Sequence, residues 1–441
     1  MAGAQLSQLA MTTTDVAYVG RLHEGALAAM AVGQASYSFF LAFGIGLIAA
    51  VGPLSAQAHG AGRARADRPM GVGIWCAVIY GLLSWAALYN IDRLYALLGY
   101  APEVADLATV YVRSIMLGLP GFFIYLAVKN YFDSTGRPRL AFQVAFLAIG
   151  LNALVAYGLV FGAWGLPSFG VVGVGMTTSV VSWCMALALL IQARASLRAG
   201  VLRTDPVEVR EFLAVGLPVA GSLLMEVGLF AVAALLMGKL GAEEAAAHLI
   251  VITCASSTFM VPLGISFAGA ARVGQAIGAG EFRRVRLAGL AAVAVGAGCM
   301  MLSAIVFAAI PDALVRVFWD PSGDAGKVRQ MATQLFLIAG VFQIFDGLQV
   351  TASGALRGMK DVKVPLLIGF LSYWLVGLGT ATYLSLHTPL RHLGVWLGLL
   401  AGLACAGVTL TLRFHLLSGR LARDSRLQQI SQVEAVSPGE I

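Results

Sequence analysis

The sequence predicts an all-α membrane protein: twelve transmembrane helices in two parallel-repeat six-helix bundles. Three observations predict it: an apolar composition, twelve apolar runs of spanning length, and an internal repeat. Of 441 residues, 59% are hydrophobic and only 12% charged, whereas soluble domains carry about 25% charged residues. A water-soluble chain must cover its outside with polar groups. Lipid is therefore the expected solvent for most of this surface.

A spanning helix needs about 20 mostly apolar residues. Such runs occur at 2–20, 30–56, 71–90, 106–132, 140–162, 171–193, 213–237, 246–267, 287–310, 330–353, 365–386 and 393–416. The breaks between them hold the charges and turn residues, as at Asp133 to Arg139, Gly278 to Arg286 and Arg357 to Lys363. None is long enough for a soluble domain. The expected organisation is a first half over 1–195, a cytoplasmic linker over 196–211, a second half over 212–417 and a polar, mobile tail over 418–441. Pro53 and Pro262 fall in the second and eighth helices, where each is expected to bend its helix.

Orientation follows from Lys and Arg. Alternate connections, with the C-terminal end from Arg413, hold 20 basic residues, and the other set holds 7. That bias places both termini in the cytoplasm of a cell whose plasma (inner) membrane the chain crosses many times. It also explains the net charge of +7 as a topology signal, so nucleic acid is not an expected partner. Arg113 and Lys129 remain, near opposite ends of the fourth helix, where long basic side chains can snorkel.

Residues 20–63 and 238–281 align without a gap at an offset of 218, with 12 identities in 44 that end in QAHGAG against QAIGAG. STGRPR at 134–139 echoes LRGMKD at 356–361 at an offset of 222. An offset of six spans preserves direction, so the repeats are parallel. Secondary transporters are commonly built this way, with the substrate path between the halves. The register sets Met1 opposite Val219, so the first helix is expected to be short by about two turns.

The five cysteines stand singly in apolar runs, the six histidines lack metal-ligand spacing, and no cleavable signal peptide is visible. No DDxxD, HExxH, GxSxG or phosphate-binding loop occurs. An enzyme is therefore not expected, nor is a cofactor. The G-x-G runs at 44–46 and 173–175 lie inside apolar helices, where close helix packing explains them.

Only three of the 22 acidic residues lie well inside spans: Asp15, Glu226 and Asp346. A charge there costs about 2.5–3.5 kcal/mol or more, so each is expected to face the protein interior or a water-filled cavity. Such a carboxylate can take a proton, bind Na+ or pair with a cationic substrate. Ion and substrate need only stabilise opposite states. Phe342, four residues before Asp346, shares its helix face, with cation–π contact and ordinary packing both open to it. Gln349 is placed to hold the carboxylate, a ligand or a neighbouring helix. Asn152 on the fifth helix is another costly polar group, either helix glue or ligand. Thr12, Thr13 and Thr14 can bond to the preceding turn.

The stretches TTTDVAYVGRL (12–22), AQAHGAG (56–62), EVGLFAVAALLMGKLG (226–241), GQAIGAG (274–280) and FDGLQVTASGALRGMKDV (345–362) resemble the MATE family of multidrug and toxic compound extrusion transporters, the NorM-like branch in particular. The resemblance implies a monomeric secondary antiporter that exports amphipathic organic cations in exchange for Na+ or H+. It implies that Glu226 and Asp346 form a cation site, with Na+ as a candidate ion and Phe342 beside it. It also implies that Asp15 is the first-half carboxylate, with Asn152 near it and a hydroxyl from Thr177 or Thr178. The family often carries Asp or Asn four residues after the helix-5 asparagine, and here that position is Ala156. The alternative, a lipid-linked precursor flippase of similar fold, would favour basic residues in the cavity.

Overall fold

The computed structural model describes all residues except 20, 21, 23, 63–66, 166, 201–204, 319–325 and 437–441, and the side chains of 24–27, 198–200 and 424–436 are also outside it. Among the described residues there is no strand, and eleven helices are long and apolar enough to cross a membrane. The 18-residue helix Ala2–Val19 precedes them. Helices suit lipid because each satisfies its own backbone polar groups.

The second helix runs as Glu24–Ile48 and Val51–Gly60, followed by Arg68–Tyr89 as the third. The fourth joins Pro102–Ile115 to Leu119–Ser134 through a 3-10 turn, and Pro138–Phe161 and Val171–Gln192 are the fifth and sixth. The second set is Pro206–Leu240, Ala242–Gly278, Phe282–Ala309, Gly326–Gly358, Lys363–His387 and the twelfth helix from Arg391. The eleventh contains a π-helical stretch, Leu371–Leu378. Pro53 follows a break at Ala49–Ala50, whereas Pro262 lies within an unbroken helix.

Three short helices add to the spans. Ile91–Leu97 and Pro311–Phe318 occupy equivalent places between the third and fourth helices of each repeat, and Arg194–Gly200 straddles the start of the expected linker. The twelfth helix continues to Val436, so most of the expected tail is helical backbone.

Two compact units result: Met1–Ser55 with Ala64–Val227, and Ala56–Arg63 with Gly228–Ile441. In the first, a Cβ on Gly44 would overlap the Phe123 ring, and one on Gly175 would overlap the Ser114 hydroxyl. The G-x-G runs are thus helix contacts. Ser179 donates to the Ser114 carbonyl at 2.7 Å, binding the sixth helix to the fourth. In the second unit, Ser266 donates to the Val350 carbonyl at 2.7 Å, and Arg413 grips Asp361 through bonds of 2.6 and 3.0 Å. Val273, Val285, Ala352, Leu356 and Phe414 belong to a buried apolar core of this unit. Outward side chains such as Leu147 and Leu235 are largely exposed, as lipid-facing residues should be.

The repeat is visible in backbone conformation. Gly62 and Gly280 close their helices with φ of +63° and +71° at the sequence offset of 218. The echo between STGRPR and LRGMKD needs correction. Arg137 N donates to Phe132 O at 2.8 Å, and Asp361 N donates to Leu356 O at 3.0 Å, so the equivalent turns lie 224 apart. Gly136 therefore matches Lys360, both with positive φ, and not Gly358.

Candidate functional site

Asp15 lies near the end of the first helix with 7% of its surface exposed. Asn152 donates its amide to Asp15 Oδ1 at 3.2 Å, and the Thr178 hydroxyl donates to Oδ2 at 3.2 Å. The helices follow local rules: Thr12, Thr13 and Thr14 each return a bond to the carbonyl four residues back, which leaves Asp15 as the group aimed inward. Thr177 likewise bonds back to Gly173 O at 2.7 Å. Of the two threonines, Thr178 therefore meets the carboxylate. Asn152 Oδ1 is buried without a hydrogen-bond partner, so one oxygen beside the carboxylate can still accept. Ala156 is fully buried one turn further on and supplies no oxygen.

In the second unit, Phe342, Asp346 and Gln349 are all buried on the tenth helix, Asp346 with 5% exposed. The Phe342 ring meets Phe230 at 6.3 Å and Trp396 at 5.6 Å between centroids, both edge-on. It thus packs among rings one turn from the carboxylate. Gln343 on the same helix bonds the Thr258 hydroxyl of the eighth helix, while its Oε1 is buried without a partner. Gln343 was not singled out in the sequence, although a glutamine three residues before an intramembrane aspartate is a signal of the same kind. Glu226 is half-buried on the seventh helix and falls within the first unit.

Lys129 departs from expectation. Its side chain is 1% exposed, and its ammonium bonds Asp133 Oδ2 at 2.9 Å. It does not snorkel, because the acid one turn away supplies its counter-charge inside the first unit. The (i, i+4) spacing of opposite charges in an apolar run was the available signal. Arg113 lies at the other end of the fourth helix and pairs with Asp92 at 3.3 Å. Among the described residues, no group of three or more His, Cys, Asp or Glu side chains is placed to hold a metal ion.

Comparison with known proteins adds three findings. The MatE family model matches residues 1–158 and 218–382. A probable multidrug resistance protein NorM of Pseudomonas putida is 38% identical, covering 98% of this chain and 96% of its own length. A protein of the same description from Pseudomonas aeruginosa is 36% identical, covering 99% and 91%. Among solved structures, the eukaryotic MATE transporter AtDTX14 superposes with a TM-score of 0.84 at 21% identity, covering 96% of each chain. That last likeness speaks to the fold.

Proposed function

The chain belongs to the MatE family of multi-pass membrane transporters, and from that premise we propose that it exports amphipathic organic cations from the cytoplasm in exchange for Na+ or H+. The observation that carries the reading is the burial of Asp15 and Asp346 inside apolar helices. A charge in such a place is costly until a cation neutralises it. The coupling ion offsets that cost in one state of the transporter, and a cationic substrate offsets it in another. Each therefore shifts the population toward the state it prefers.

Asp15, with Asn152 and Thr178 around it, is one carrier. Asp346 is another, with Phe342, Gln343 and Gln349 on its helix, and Glu226 is a third. The missing oxygen at Ala156 favours a proton over tightly held Na+ at Asp15, since Na+ requires several oxygens. The excess of Lys and Arg on alternate connections sets both termini in the cytoplasm, and bacterial relatives suggest the inner membrane. The flippase alternative gains no support from Arg113 and Lys129, because each is paired with an aspartate.

The test is efflux of ethidium from vesicles under Na+ and H+ gradients imposed separately. Glu226→Gln and Asp346→Asn are expected to abolish gradient-driven efflux. Unchanged pumping in both variants would remove these residues from the mechanism. Wild-type protein that responds to neither gradient would end the antiporter reading.

A further inference from the structure

One end of the second unit carries polar groups without polar counterparts in the first repeat. Arg391 opens the twelfth helix at φ +42°, a left-handed conformation that favours glycine. In the first repeat the matching residue, before the shared Gly-Val at 173–174 and 394–395, is Gly170 with φ +53°. The arginine stands there despite that strain, and its guanidinium bonds Glu244 Oε1 at 2.8 Å and Leu240 O at 3.0 Å. One turn inward from Glu244 lies His248, 4% exposed. Its ring meets that of Trp396 at 5.7 Å, and Trp396, wholly buried, meets Phe342 at 5.6 Å. Phe342 is one turn from Asp346. By repeat register, His248 and Trp396 correspond to Met30 and Gly175, so the same architecture stands without either polar ring.

Both rings carry an orphan. His248 Nδ1 and Trp396 Nε1 are buried without a hydrogen-bond partner, and a buried polar group left unpaired is destabilising. A buried histidine with an unpartnered ring nitrogen, one turn inward from an ionic rim and in ring contact toward a buried carboxylate, is placed to move protons. The charged groups at that end of the surrounding helices are largely paired: Glu243 with Lys327, Asp312 with Arg329 and Glu244 with Arg391. His392, whose Nε2 meets Gln334 Oε1 at 3.3 Å, together with Lys239, Arg316 and His387, completes the set among the described residues. Cys254, Cys299 and Cys405 lie deeper on the eighth, ninth and twelfth helices.

Resting on the antiporter reading and its orientation, we propose that His248 and Trp396 form the proton doorway of the second unit, linking the Glu244–Arg391 rim to Asp346. An arriving proton is taken by the imidazole of His248, and the ring's surrender of a proton inward regenerates it. Water oriented by the Trp396 indole N–H carries the proton to the Asp346 carboxylate, so only N–H and O–H bonds are made and broken. Phe342 stands between, and its ring must shift to open the route. This prevents continuous leakage. His248 exchanges protons, and Trp396 is a positioning residue.

The experiment uses the full chain in proteoliposomes, with ethidium efflux measured under a pH gradient as the outer pH is varied. His248→Gln is expected to slow proton-driven efflux on the order of a hundredfold, the low end of what positioned proton-transfer groups contribute. It is also expected to flatten the pH profile while ethidium binding is unchanged. Trp396→Phe keeps a ring but loses the N–H, and is expected to slow efflux without moving the profile. His248→Asn serves as the second variant if the glutamine form does not fold. Wild-type rate and profile in the folded His248 variant would overturn the doorway. Loss of ethidium binding in step with rate would also overturn it, since the residue would then be structural. Efflux driven by Na+ alone, independent of pH, would overturn it while leaving the exporter reading intact. A wild-type protein that answers to neither gradient would instead sink the exporter reading beneath it.

Discussion

Lys129 and Asp133 show what one residue decides. The lysine side chain is 1% exposed and bonds the Asp133 carboxylate at 2.9 Å. Removing one partner of a buried pair leaves the other charge uncompensated, a loss of about 3–5 kcal/mol. Asp133→Leu is therefore expected to lower the thermal midpoint of the detergent-solubilised protein sharply. Lys129→Met combined with Asp133→Leu should recover much of that loss, because an apolar pair needs no counter-charge. Equal midpoints for the single variant and wild type would show that the pair is not a stabilising contact. Asn152 is a contrasting case. Its amide holds Asp15 while its Oδ1 lacks a partner, so Asn152→Leu is expected to impair efflux more than folding, read as a falling rate at a nearly constant midpoint.

At the scale of elements, helix ends and crossings carry the specificity. Within the second unit, the Gly60 and Gly278 positions are reciprocal: a Cβ on Gly60 would overlap Gln275 O, and one on Gly278 would overlap Gln57 O. Gln57 also donates to Gly358 O at 2.9 Å. Overpacking typically costs about 1–3 kcal/mol, and backbone cannot retreat as a side chain can. Gly278→Val is expected to fall at the upper end of that range, measured as a lower midpoint or lost monodispersity. The short helix Pro311–Phe318 is tied by Asp312 to Arg329 at 2.9 Å. The bond from Arg329 holds the Asp312 carboxyl below the usual carboxylate range. A depressed value means the tether is intact at neutral pH and is lost as pH falls through that lowered value. Asp312→Asn should therefore differ from wild type in stability at pH 7 and converge with it in strong acid. A difference that persisted there would assign the effect to packing.

Across the whole molecule, the basic-residue bias is the ground for the proposed orientation, with both termini in the cytoplasm. Single cysteines in a cysteine-free background test it. An impermeant thiol reagent added outside intact cells is expected to label Gly99→Cys, in the loop after Ile91–Leu97, and to spare Thr135→Cys, in the turn after the fourth helix. The opposite pattern would invert the orientation and with it the direction of the proposed export. Gly99 and Gly136, beside Thr135, both adopt positive φ, so these labels sit at turns and not inside helices.

The sequence alone determined the number and order of the spans, their repeat and the three acids stranded within them. Apolar length, Lys and Arg bias and the cost of charge in lipid are local properties that survive without coordinates. It could not tell that Thr178 rather than Thr177 reaches Asp15, because adjacent residues on a helix differ by about 100° in direction. Nor could it tell that Lys129 is buried, that Lys360 rather than Gly358 answers Gly136, or that His248, Trp396 and Phe342 form one chain of rings. The Lys360 match rests on local turn geometry, and the others depend on which helix faces turn toward one another. That is settled by packing between segments far apart in the chain, where small residues admit close approach and every buried polar atom seeks a partner.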